Sequence, residues 1–270
     1  MRRAKVLLPL VAAALCGCDS YRYHSGRFFD ETGRTGRAVA ALESFIEHRP
    51  QDPRACEVRL RLGRAYAGRL GRFLEAQRHF EAAARGFQDQ PACVEAAKAG
   101  LMDCPDFFPL EAGRGWVFGD TASGGRNMRL EWDLRRSAAD KTTILGSLFA
   151  GNKRINTQEK AYSKKDWAVW EGEPGAKPVA ILRYPYVAGR RWTERRGKYP
   201  VDFLIEDSAV EVKTVAGAFS DCLKVRETDR RFKGSWKYDY YCPGVGRVKT
   251  TAGSPGAENP NTELIKAVRP

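Results

Sequence analysis

The sequence predicts an α+β chain: a short N-terminal array of helical hairpins, then an antiparallel β-sheet curved into a half-barrel or sandwich. Three observations carry this. Apolar residues recur with a helical period from about residue 35 to 104 and lose it at Phe107. Beyond that point, short runs are separated by Gly, Asn or Pro every 8 to 15 residues, as strands and turns are. The pattern aromatic-Pro-x-x-x-Gly-x-x-Trp stands at the joint as Phe108, Pro109, Gly113 and Trp116, and returns 76 residues later as Tyr184, Pro185, Gly189 and Trp192.

The 270 residues carry a formal charge of +13, three of those positives being Arg2, Arg3 and Lys5. These precede an apolar run, Val6 to Leu15, too short to cross a hydrocarbon core of roughly 30 Å as a helix. Residues 1–17 therefore read as a secretion signal. Leu15-Cys16-Gly17-Cys18 resembles the bacterial lipobox, with Cys16 departing from its usual small residue. The resemblance implies cleavage before Cys18, acylation there, and a lipid anchor that holds the chain in the cell envelope, facing the periplasm. Asp19 resembles an inner-membrane retention signal, although the inner and outer membranes both stay open.

Residues 18–34 are expected as a polar tether with a short helix near Phe28-Phe29. From Arg37, Ala38, Ala41, Leu42, Phe45 and Ile46 share one helical face, which Pro50 and Pro53 end. Gln51 to Cys56 returns as Gln88 to Cys93, and Gly63 as Gly100, at an offset of 37 residues. Leu62, Gly63, Tyr66, Ala76, Phe80 and Ala83 resemble the tetratricopeptide pattern, which implies stacked hairpins over 35–104 and a surface for a partner peptide. Arg54, Arg59, Arg61, Arg64, Arg69, Arg72, Arg78 and Arg85 make this part basic. With the signal placing the chain outside the cytoplasm, an acidic partner or anionic lipid suits them better than nucleic acid.

Residues 107–270 read as short strands: 115–119, 128–135, 142–149, 154–162, 167–170, 179–184, 191–195, 201–205, 209–215, 222–228, 236–241, 246–250 and 263–268. The two motif copies suggest an internal duplication, 108–183 and 184–260. Their chemistry is structural: Pro fixes φ, Gly admits a turn with positive φ, and Trp fills a core. The hairpin of 221–227 against 236–242 places Lys224 opposite Tyr240, Arg226 opposite Tyr238 and Cys222 opposite Cys242. A cross-strand disulfide suits that register in an oxidising compartment. Cys56 with Cys93 is the remaining helical pair, although equivalent points on neighbouring helices commonly lie about 10 Å apart; Cys104 is left over.

Phe108-Pro109-Leu110, Asp221 to Val225 and Tyr240 to Gly246 resemble an uncharacterised family of β-domains in envelope lipoproteins, similar in turn to the half-barrels of lipoprotein carriers of the Lol type. That resemblance implies no catalytic residue. His24, His48 and His79 all precede residue 107, which excludes a His-based triad in the second part. No CxxC pair suggests zinc, and no glycine loop matches a nucleotide fingerprint. The expectation is a non-enzymatic scaffold for an envelope partner, without metal or cofactor. The alternatives are a carrier with a continuous apolar concave face, and an envelope hydrolase built on carboxylates that the sequence scatters over strand faces.

Overall fold

Helical periodicity and turn residues build two units, Met1–Pro105 and Asp106–Pro270, in the computed structural model, which describes residues 7–136 and 142–268. In the first unit the helices are α1 (Leu7–Glu31), α2 (Thr35–His48), α3 (Ala55–Arg64), α4 (Phe73–Gly86) and α5 (Pro91–Met102), with a π-helical turn, Ala65–Arg69, extending α3. α1 packs on α2, α3 on α4, and α5 on both α4 and α3. Ala38, Leu42 and Phe45 form the buried stripe of α2.

The tether expected over 18–34 is instead helical as far as Glu31. Tyr23 is buried, its ring centroid 5.6 Å from that of Phe45 on α2. Gly26 accepts Leu42 so closely that a Cβ there would collide with it. The segment therefore shares the core of the helical unit. Gly26, Gly63 and Gly100 stand one 37-residue period apart, the separation that Cys56 and Cys93 also show. Gly63 and Gly100 both face the ring of Phe80, which is 2% exposed. A Cβ on Gly63 would lie 2.6 Å from that ring. Residues 1–6 of the signal lie outside the described residues, as does the side chain of Cys18.

The second unit holds twelve described strands in one antiparallel sheet. In chain order they are β1 (Gly115–Asp120), β2 (Met128–Arg136), β3 (Thr142–Ala150), β4 (Lys153–Lys165), β5 (Ala168–Gly172), β6 (Val179–Arg183), β7 (Arg191–Arg196), β8 (Tyr199–Thr214), β9 (Gly217–Asp229), β10 (Trp236–Cys242), β11 (Gly246–Ser254) and β12 (Ala257–Val268). Each strand pairs with its successor except β6, and β1 pairs with β12. The chain is thus two six-strand meanders, and the sheet curls until it is nearly closed. Its edges are β6 and β7, fastened where Trp192 Nε1 donates to Ala180 O at 2.8 Å and Arg183 pairs with Glu194 at 2.8 Å.

The strands expected at 201–205 and 209–215 are one, the 16-residue β8. Register shifts between Ile205 and Val212 absorb Glu206-Asp207-Ser208, which reads as a turn but lacks Gly or Pro to break the strand. The β9–β10 register has Arg226 opposite Tyr238 and Lys224 opposite Tyr240, as the cysteine pairing requires. Cys222 and Cys242 are bonded, and so are Cys56 and Cys93, whose Cα atoms lie 6.4 Å apart because α3 and α5 touch directly.

Candidate functional site in the interior of the β unit

The two motif copies frame the site. Gly113 and Gly189 have φ of 85° and 86°, the left-handed region glycine tolerates. Both make the same backbone bonds: Gly113 N to Leu134 O with Leu134 N to Arg114 O, and Gly189 N to Ile205 O with Ile205 N to Arg190 O. Trp116 donates its indole N–H to Val245 O at 2.7 Å, as Trp192 does to Ala180 O. Both indole N–H groups are thus spent on backbone. Phe108, beside Pro109, stacks on Tyr162 at 5.0 Å, while Tyr184, beside Pro185, stacks on Trp167 at 5.1 Å.

Above this aromatic floor the interior is ionic. Alternation along the strands turns Lys160 and Tyr162 of β4, Glu171 of β5, Arg196 of β7, Glu227 of β9, Lys237 and Asp239 of β10, and Arg247 of β11 into one cluster. Lys160 lies 3.0 Å from Glu171, Arg196 2.5 Å from Glu227, and Lys237 2.9 Å from Glu227 and 2.8 Å from Asp239. Tyr162 Oη donates to Glu171 at 2.7 Å, and Thr250 Oγ1 to Asp239 at 2.6 Å.

The sequence scatters these carboxylates; the structure gathers them. Pairing on the sheet places Tyr162 opposite Glu171 and Lys237 opposite Glu227. Lys237-Tyr238-Asp239-Tyr240-Tyr241 carried the signal, since a strand alternating charge with aromatics must turn one set inward. The inward set is Lys237, Asp239 and Tyr241. Tyr238 and Tyr240 lie on the opposite face, where the Lys224 ammonium stands 4.1 Å over the Tyr238 ring.

Burial would push Asp239 and Glu171 up, but Lys237 and Arg247 hold Asp239 below its usual range, and Lys160 and the Tyr162 hydroxyl do the same for Glu171. Burial works against the charge of Lys237, yet Asp239 and Glu227 keep its pKa raised. Burial, reinforced by the Glu171 charge for Tyr162 and by the Asp239 charge for Tyr241, lifts both phenols well above their ordinary range. Asp239 and Glu171 are therefore held as anions, and the Tyr162 and Tyr241 phenols stay protonated. A cavity of about 340 Å³ opens onto this cluster, with Leu130, Trp132 and Ile144 as its apolar wall and Lys160, Arg196, Lys237 and Arg247 among its polar ones. The interior is accordingly no continuous apolar trough.

In the helical unit, five of the eight expected surface arginines are engaged in ion pairs: Arg54 with Asp52, Arg61 with Glu57 and Asp30, Arg69 with Asp30, Arg72 with Glu75, and Arg85 with Glu81. Arg59 is half-buried, its Nε without a partner. Arg64 and Arg78 are exposed. Asp19 is buried, held by Arg49 at 2.6 Å and Arg22 at 2.7 Å, and the Arg49 hydrogen bond keeps its carboxyl below the usual value. Cys104 is a buried thiol that burial pushes up to about 12.

No protein-family model and no curated protein matches the chain. Among solved structures it is similar to a protein inferred to be exported, with a YmcC-like fold, from Bacteroides fragilis: 14% identity, TM-score 0.44, covering 60% of this chain and 99% of that one. It is also similar to a protein from Parabacteroides distasonis inferred to be a lipoprotein: 17% identity, TM-score 0.39, covering 60% of this chain and 97% of that one.

Proposed function

We propose that the chain is a lipid-anchored envelope protein that works by binding: a non-enzymatic interaction or assembly scaffold acylated at Cys18 and facing the periplasm. The observation that carries the compartment is the pair of disulfides, one in each unit, since such bonds persist where the surroundings are oxidising. The signal-like segment and the lipobox-like Leu15 to Cys18 supply the anchor. Fixed ionisation inside the β unit supports binding over catalysis, because a general acid or base must change its proton near neutral pH. Arg64 and Arg78, exposed on the helical unit, suit an acidic partner surface.

Labelled palmitate tests the anchor: the native chain incorporates it and Cys18→Ser does not, while equal labelling of both would refute the reading. Crosslinking in intact membranes tests the scaffold. A discrete partner should be captured by the native chain and lost from the double variant Arg64→Glu, Arg78→Glu; capture that ignores the reversal would remove the acidic-partner role.

A further inference from the structure

One cation inside the β unit has no carboxylate within hydrogen-bond reach. Among the described residues, the cluster holds four cations, Lys160, Arg196, Lys237 and Arg247, against the inward carboxylates Glu171, Glu227 and Asp239. Lys160, Arg196 and Lys237 each have a carboxylate within 3.0 Å. Glu173 adds a second contact to Lys160 at 3.2 Å from the rim, where its side chain is 48% exposed. Arg247 is the odd one. Its nearest carboxylate oxygen is Asp239 Oδ1 at 3.8 Å, beyond hydrogen-bond reach, and Lys237 and Thr250 already bind that carboxylate.

Aromatic rings hold the Arg247 guanidinium in place. It sits 4.3 Å from the ring centroid of Trp132 and 5.1 Å from that of Phe118. Gly146 leaves room for the indole, since a Cβ there would come within 3.3 Å of it. A guanidinium offers five N–H donors in a planar fork, and burying it without acceptors costs free energy. Those donors line the 340 Å³ cavity, a volume within the ordinary range for small-ligand sites, and Leu130, Trp132 and Ile144 form its apolar wall.

We infer that this cavity is a binding site for a small organic anion: a carboxylate or comparable anionic group seated in the fork of Arg247, with an apolar or ring-shaped body against Trp132. The bound anion supplies the acceptors that Arg247 lacks. This is a property of the β unit, separate from the anchor and from any protein partner.

Benzoate and inorganic phosphate are the probes, titrated calorimetrically into the purified full chain and its Arg247→Met variant, with unliganded melting recorded for both. Benzoate should bind saturably and more tightly than phosphate. Arg247→Met should weaken benzoate by roughly tenfold or more, the loss of one or two charge-assisted hydrogen bonds, while its unliganded melting temperature falls by no more than a few degrees, the loss of the 3.8 Å contact with Asp239. Absence of saturable benzoate binding, binding that survives Arg247→Met, or phosphate binding as tight as benzoate would each overturn the assignment. So would a Met variant that fails to fold, because Arg247 would then be a structural cation.

Discussion

Lys237 and Asp239, two residues apart on β10, form a 2.8 Å ion pair inside the β unit, with Glu227 2.9 Å from the same ammonium. Removing the Asp239 charge leaves Lys237 with Glu227 alone, so the cost should sit at the lower end of the roughly 3–5 kcal/mol for breaking a buried ion pair. Asp239→Asn should lower the unfolding free energy measured in urea by about 3 kcal/mol, whereas Thr250→Ala, which deletes only a donor to the same carboxylate, should cost about 1–2 kcal/mol. Equal losses from the two would mean that the ion pair adds little.

The same pair sets a pH window. Asp239 and Glu171 have folded pKa values below their ordinary 3.8 and 4.5, so they stabilise the fold above those values and lose that contribution as pH falls through the lower folded ones. Lys237 is raised above 10.5, so its contribution is complete below that pH and lost as pH rises through the folded value. Stability measured by denaturant should be flat between about pH 5 and 10 with respect to these groups and decline on both sides. Asp239→Asn should flatten part of the acid limb.

Phe80 is pinned by two glycines one repeat apart. A Cβ on Gly63 would overpack this ring, which Gly100 also touches, at a cost of about 1–3 kcal/mol. Gly63→Ala should therefore destabilise the helical unit, and the penalty should shrink when Phe80 is also changed to Leu. A penalty unaltered by Phe80→Leu in a double-mutant cycle would point to some other cause.

The Cys222–Cys242 bond closes a sequence separation of 20 residues. In the chain-entropy view that contributes about 3 kcal/mol, acting mainly on the unfolded state. Replacing both cysteines by Ser should lower the thermal midpoint without changing the β-sheet circular dichroism. Loss of the sheet signal at low temperature would show that the bond is needed to form the fold.

Much of the build was legible because its causes are local. Helix stripes, strand alternation, the positive-φ glycines Gly113 and Gly189, and the Lys224–Tyr240 register all follow from neighbours in sequence. The α1 contact with α2 was harder to see, although Gly26 stands one repeat period before Gly63. A polar surface on Ser20 to Gly26 hides a helical stretch in which Tyr23 and Gly26 are the buried positions. The ionic interior was illegible for a different reason. Alternation says that Lys237 and Tyr238 face opposite ways, but not which way is in, and burying the charged set is sound only when Glu227 and Glu171 arrive from strands elsewhere in the chain.

The pairing of β1 with β12 gives β12 unusual weight. The centre of this sheet is built from the two ends of the β unit, and its outer edges from the middle. A chain that stopped before Ala257 would not trim a border strand. It would cut the curved sheet in two, leaving β1 and β11 as raw edges with unpaired backbone groups, a ready template for aggregation. β12 is thus the keystone of the arch, which stays open until that strand is in place.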